Sequence, residues 1–190
     1  MAQSPLAPKF DQSCEATARG HLRFDIRKTG AHSVRHSESG AGGGMKSKLL
    51  HDEKGLKTFA IVFDKGDEVR EGLLEFANTN RFADAHLTGI GALSQVTLAF
   101  FDPQQNSYKK IPINEQVEVL SFTGNIVQGN GKPKLHAHVV VGKADGTAHG
   151  GHFLGGRVWP TLEIVISEMP VHLRRSQDQE SGLALINLAA

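Results

Sequence analysis

The chain has 190 residues, 39% of them hydrophobic, which suits one domain with a substantial core and some excess. Its single cysteine, Cys14, excludes an intrachain disulfide framework and a cysteine-built zinc module, so any metal must be held by histidine or carboxylate. No apolar run approaches the roughly 18 residues of a membrane helix, and the N-terminal region lacks the apolar segment of a secretory signal, so a cytoplasmic protein without membrane contact is expected.

Composition changes at Met45. Residues 1–44 hold Pro5 and Pro8, a Ser/His/Gly stretch from Gly30 to Gly40 and then Ala41-Gly42-Gly43-Gly44, with no sustained helical or strand period. They are expected to form a flexible tail or a non-native extension, with only a weak strand signal at His21–Ile26, and 45–190 to form the domain. The tail carries six Lys+Arg and four Asp+Glu, leaving 15 basic and 16 acidic residues, a net of −1, for the rest. That balance provides no electrostatic footprint for unaided DNA binding, and the pairs Lys109-Lys110 and Arg174-Arg175 read as solvated strand ends.

Leu56–Phe63 reads as a strand, broken by Asp64-Lys65-Gly66. Asp67 is then an N-cap candidate, with Glu68 and Glu71 in the first helical turn, and Val69, Leu73, Phe76 and Ala77 make one apolar helical face before Asn78-Thr79-Asn80. Almost everything after this helix reads as strand. Val96, Leu98 and Phe100 alternate with Gln95, Thr97 and Ala99, and Asp102–Asn106 turns the chain into a return strand from Tyr108 to Ile113. Gln116–Val127, Leu135–Val141, Thr161–Glu168, Val171–Arg175 and Gly182–Leu188 complete the series, with Gly129–Pro133 as a loop. One helix against many antiparallel strands predicts an α+β fold. Gly89-Ile90-Gly91 lacks the third glycine and following helix of a dinucleotide fingerprint, so it reads as a bulge or a close-packing pair. No GxSxG or GxxxxGK[ST] motif occurs, and no serine or cysteine nucleophile or nucleotide site is predicted.

Four histidines fall between 136 and 152. Strand alternation sends Leu135, Ala137, Val139 and Val141 to one face and His136, His138 and Val140 to the other. If Ala144-Asp145-Gly146 is a three-residue loop with Gly146 left-handed, Lys143 pairs with Thr147 and His138 faces His152, so His136, His138 and His152 surround one point. A two-residue turn would shift the register by one and send His152 to the opposite face, whereas the favoured register sends His149 there. Three imidazoles with one open position is the pattern of a ligand-accepting zinc site, although histidines on a half-solvated sheet face need no metal to be stable there.

Gly89-Ile90-Gly91-Ala92-Leu93-Ser94-Gln95-Val96-Thr97-Leu98, Leu135-His136-Ala137-His138, Asp145-Gly146 leading to Gly150-Gly151-His152-Phe153-Leu154, and Leu162–Ile166 occur in an order and spacing that resemble the plants-and-prokaryotes conserved (PPC) domain. The resemblance runs from about Met45 to about Glu168. It implies a compact homotrimer, a prokaryotic-type histidine motif matched by His136, His138 and His152, and a description as predicted DNA-binding. It also implies a distant fold relation to α-acetolactate decarboxylase, a zinc enzyme with a similar ligand set. The Arg-Gly-Arg-Pro AT-hook of plant members is absent. Two functions compete: a trimeric metal-binding regulatory protein associated with DNA, or a metal-dependent lyase or hydrolase acting on a small carbonyl compound. For the second, Glu163 and Glu118 are the first acid/base candidates.

Overall fold

The computed structural model describes residues 44–170 and 172–188. The expected tail, with Cys14 and the weak strand signal at His21–Ile26, falls outside the described residues. Nine strands and one helix follow in the order β1 (Lys46–Glu53), β2 (Leu56–Phe63), α1 (Val69–Thr79), β3 (Asp84–Asp102), β4 (Ser107–Ile113), β5 (Val117–Gly129), β6 (Lys132–Gly142), β7 (Ala148–Glu168), β8 (Arg174–Gln177) and β9 (Ala184–Asn187). This is the expected α+β class. Among the described residues no helix is long and apolar enough to cross a membrane.

All pairings are antiparallel except one parallel bridge, Gln128 with Arg174, that ties β8 to β5. The two long strands organise the rest. β3 pairs with both β5 and β7, and β6 in turn pairs with both β5 and β7. These four strands therefore close into a ring, which a flat sheet cannot do, and the strain of closure is taken up at bulges. One lies between Gly89 and Gly91, as the sequence suggested, and others interrupt the β3–β7 pairing at Gly91/Leu93, Leu93/Gln95 and Thr97/Leu98.

Core residues come from every layer. The predicted helical face, Val69, Leu73, Phe76 and Ala77, is buried. Phe76 meets Phe59 and Phe82 edge-on, with ring centroids 5.2 and 5.7 Å apart, and Phe59 and Phe82 are tilted against each other at 5.9 Å. Phe63, Phe122, Phe153, Leu87, Leu93, Leu162 and Ile164 fill the space beneath. Leu135, Ala137, Val139 and Val141 are buried as their alternation required.

Several local expectations are corrected. The N-cap is Glu68, one residue later than Asp67, because the Asp67 peptide is still part of a sheet contact: its carbonyl accepts from Val158 N–H at 3.0 Å, and its carboxylate accepts from Asp64 N–H at 2.9 Å. Phe100 is 65% exposed although Val96 and Leu98 of the same alternating set are buried, and Ala99 of the other set, paired with His152, is buried as well. Gly129–Pro133 is not a loop but a two-residue turn at Asn130-Gly131, both left-handed, with Lys132 already paired to Gly129. β8 begins at Arg174 rather than Val171, a residue outside those described. β1 was not foreseen at all: all eight of its residues are exposed, so no alternation marks it.

Gly91 sits at the crossing of β3 and β7 with φ +150°, and a Cβ there would lie 2.4 Å from the Thr161 carbonyl oxygen and 2.7 Å from Leu162 Cα. Both contacts are with backbone, which cannot move aside cheaply. Gly91→Ala is expected to cost about 2–3 kcal/mol in urea unfolding, whereas Gly155→Ala, where nothing lies within 4 Å, should change stability by under about 0.5 kcal/mol. Equal effects at the two positions would refute this account of the crossing.

Candidate metal centre

The site is made by one hairpin and the strand beside it. Lys143 N–H donates to Thr147 O at 2.9 Å, Gly146 N–H donates to Lys143 O at 2.9 Å, and Gly146 adopts φ +82°. This is the three-residue loop anticipated from Ala144-Asp145-Gly146. Asp145 braces it, its carboxylate accepting from the Thr147 N–H at 2.9 Å and hydroxyl at 2.6 Å. The resulting register pairs His138 with His152 and Val141 with His149. His149 is exposed and takes no part in the cluster.

His136, His138 and His152 each offer a ring nitrogen, and these atoms lie within 4.8 Å of one another. Their ring centroids are 5.3, 5.2 and 5.4 Å apart, close to an equilateral triangle, so no one histidine is central. Three ligands on a tetrahedral zinc ion, each 2.0–2.1 Å away, stand about 3.3 Å apart. One buried atom of the cluster, His152 Nδ1, has no hydrogen-bond partner. The donor set and this orphaned nitrogen both fit a divalent ion.

Groups that spacing alone did not reveal surround the triangle. Tyr108 from β4 stacks on His152 with centroids 4.8 Å apart and planes 23° from parallel. Asn125 pairs with His136 across β5–β6, and Thr123 with His138. An open cleft of about 270 Å³ is lined by Thr123, Gly124, Asn125, His136 and His138. Arg175 reaches in from β8: its guanidinium donates to Asn125 Oδ1 at 2.6 Å and lies 3.5 Å from His136 Nδ1. The available signal was the Arg174-Arg175 pair, read as a solvated strand end. Glu163 and Glu118 are exposed and do not line the cleft; Glu163 sits opposite Val62 and Ile90, and Glu118 opposite Ala92 and Gly142.

Burial keeps two of the imidazoles, His136 and His152, uncharged. Desolvation, helped by His136, His138 and Arg70, pulls His152 down to about 4 from 6.5. Desolvation, then Arg175 and His138, also lowers His136. Both are therefore neutral at pH 7, the state a metal requires. In the metal-free protein the unfolded chain takes up protons near pH 6.5 that the folded His152 refuses until about 4. Stability should accordingly be full above pH 6.5, decline as pH falls from 6.5 towards 4, and flatten below. Thermal melts of chelator-treated protein check this, with His152→Gln expected to remove most of the decline above about pH 5, where carboxylates remain ionised. An unchanged pH profile in that variant would disprove the assignment.

Residues 50–170 match the Plants and Prokaryotes Conserved (PCC) domain. The chain is similar in structure to a candidate DNA-binding protein of Bacteroides thetaiotaomicron, at 25% identity and TM-score 0.72, covering 78% of this chain and 100% of that one. A PPC protein of Pyrococcus horikoshii is 28% identical with TM-score 0.66, covering 75% and 94% of the two chains. A metal-containing protein of Archaeoglobus fulgidus is 30% identical with TM-score 0.66, covering 74% and 99%. The likeness to α-acetolactate decarboxylase of Bacillus subtilis is weak, TM-score 0.46 at 14% identity, and supports no functional reading. No curated protein matches the chain. The motifs around Gly89–Leu98, His136–His138 and Gly150–Leu154 all lie inside the matched segment, and the chain belongs to the PCC domain family.

Proposed function

We propose that His136, His138 and His152 hold one divalent cation, zinc by their ligand chemistry, and that its fourth position, open to the cleft, accepts a small molecule. The observation that carries this reading is the triangle of imidazoles, with ligand atoms within 4.8 Å of one another and, among the described residues, no fourth protein ligand grouped with them. The description of the Archaeoglobus fulgidus relative as metal-containing supports it. An ion with an open position can polarise a carbonyl or activate water, the chemistry of a lyase or hydrolase on a small carbonyl compound.

The domain is assigned to residues 45–190, acting as a cytoplasmic homotrimer. Outward-pointing Ile90, Leu120 and Val140, on the neighbouring strands β3, β5 and β6, are 61%, 55% and 40% exposed and form an apolar surface suited to association. A second reading, a regulatory protein associated with DNA, is favoured by the description of the Bacteroides thetaiotaomicron neighbour. The net of −1 over residues 45–190 favours the small-molecule reading over it.

Elemental analysis of protein purified without added metal should give about one zinc per chain. His136→Ala, His138→Ala and His152→Ala should each abolish stoichiometric metal, while His149→Ala should leave it unchanged. His138→Ala should keep the fold, because the side chain is exposed, opposite the buried Ala137 and Val139. A protein that needed His149 and dispensed with His152 would sink the site as drawn. Light scattering should find three chains per particle, and Leu120→Asp should yield monomers; a monomeric wild type at micromolar concentration would end the trimer reading.

A further inference from the structure

Beyond the residues 50–170 matched to the family, the chain continues into a small hairpin, β8–β9, that is fastened beside the histidines. Asp84, fully buried, accepts the Leu173 N–H at 2.7 Å and so anchors the approach to β8. Arg174 bridges to Gln128 of β5. The turn is closed by Asp178, whose carboxylate accepts from Ser181 N–H at 2.8 Å and Ser181 Oγ–H at 2.7 Å. Arg175 Nη1 donates to Ala184 O at 2.7 Å, holding the side chain along the hairpin, and the guanidinium meets Asn125 and His136 of the cleft wall. A mere strand end does not need this much fixing.

What the guanidinium meets there is unusual. Its hydrogen bonds go to a carbonyl, an amide oxygen and the edge of His136, all neutral acceptors, and Nε is buried with no partner. Among the described residues no carboxylate pairs with it. A half-buried cation without a counter-charge is costly, and a divalent ion bound by the adjacent His136 would repel it further. One anion placed between the two cations relieves both. A guanidinium fork matches the planar, two-oxygen geometry of a carboxylate. A cleft of about 270 Å³ also limits the occupant to a small one.

We propose that Arg175 is an anion-recognition residue, and that the cleft takes a small carboxylate whose oxygens span the guanidinium and the open position of the ion held by His136, His138 and His152. This rests on the metal reading above. Metal and carboxylate then bind with positive coupling, each strengthening the other by the same factor, since equilibrium linkage is reciprocal.

The test measures zinc affinity of the full-length protein by competition with a chromogenic chelator, in the presence of acetate or of its neutral isostere acetamide. Acetate should tighten zinc about tenfold in the wild type, within the usual range for coupled sites, and acetamide should not. Arg175→Gln, with its fold checked by circular dichroism, should bind zinc more tightly than wild type when acetate is absent, because the repelling charge is gone, and should lose the acetate increment. Arg175→Lys should keep the repulsion and only part of the increment, having the charge without the fork. A purely structural arginine predicts the opposite sign, weaker zinc in Arg175→Gln. That result, or an acetate increment equal in wild type and Arg175→Gln, overturns the proposal, as does inorganic phosphate tightening zinc more than acetate does. Stoichiometric zinc without any acetate effect refutes the carboxylate site and leaves the metal reading standing; no zinc under any condition refutes both.

Discussion

The closing of β3, β5, β6 and β7 into a ring is the constraint from which the site follows. β7 must run along β3 for most of its length and also turn back against β6, so His152 is flanked on one side by Ala99 of β3 and on the other by His138 of β6. His136 and His138 meanwhile face Asn125 and Thr123 of β5. The imidazoles thus stand on strands whose spacing is fixed by backbone hydrogen bonds on both flanks. Side chains held on such a frame are pre-organised by the backbone beneath them.

The register of a single hairpin decides the identity of the third histidine. Because side chains alternate along a strand, one residue of slippage would exchange His152 for a neighbour on the opposite face. Gly146 at φ +82° and the Asp145–Thr147 bonds select the three-residue loop over the two-residue one. Local turn chemistry, worth little in stability, therefore carries the functional geometry. The same hairpin end is held by an ion pair between Lys143 and Glu115, 2.6 Å apart, whose partly exposed setting makes it a minor contributor.

Electrostatics around the triangle run in one direction. Desolvation and neighbouring positive charge both oppose protonation of His136 and His152, and Arg175 adds a cation that no acid among the described residues balances. An acid/base enzyme commonly sets a carboxylate beside its metal. Here the two glutamates that the sequence suggested lie elsewhere on the sheet, and the polar groups that do line the cleft, Thr123 and Asn125, are uncharged.

The sequence by itself determined those features that depend on local periodicity or turn chemistry. The apolar face Val69, Leu73, Phe76 and Ala77, the alternation of Leu135 to Val141, the strand Leu56–Phe63 and the loop ending at Gly146 were legible because each is fixed by neighbours within a few residues. The histidine triangle was legible for the same reason: both of its strands belong to one hairpin. Only the tertiary structure decided what distant segments bring to that point. β1 has no buried face and exists through its pairing with β2. Asp67 lost its cap role to a contact with Val158, a residue far along the chain. Tyr108 and Arg175 joined the histidines through pairings of β4 with β3 and β8 with β5, and no period or spacing in a sequence encodes a contact between strands that far apart.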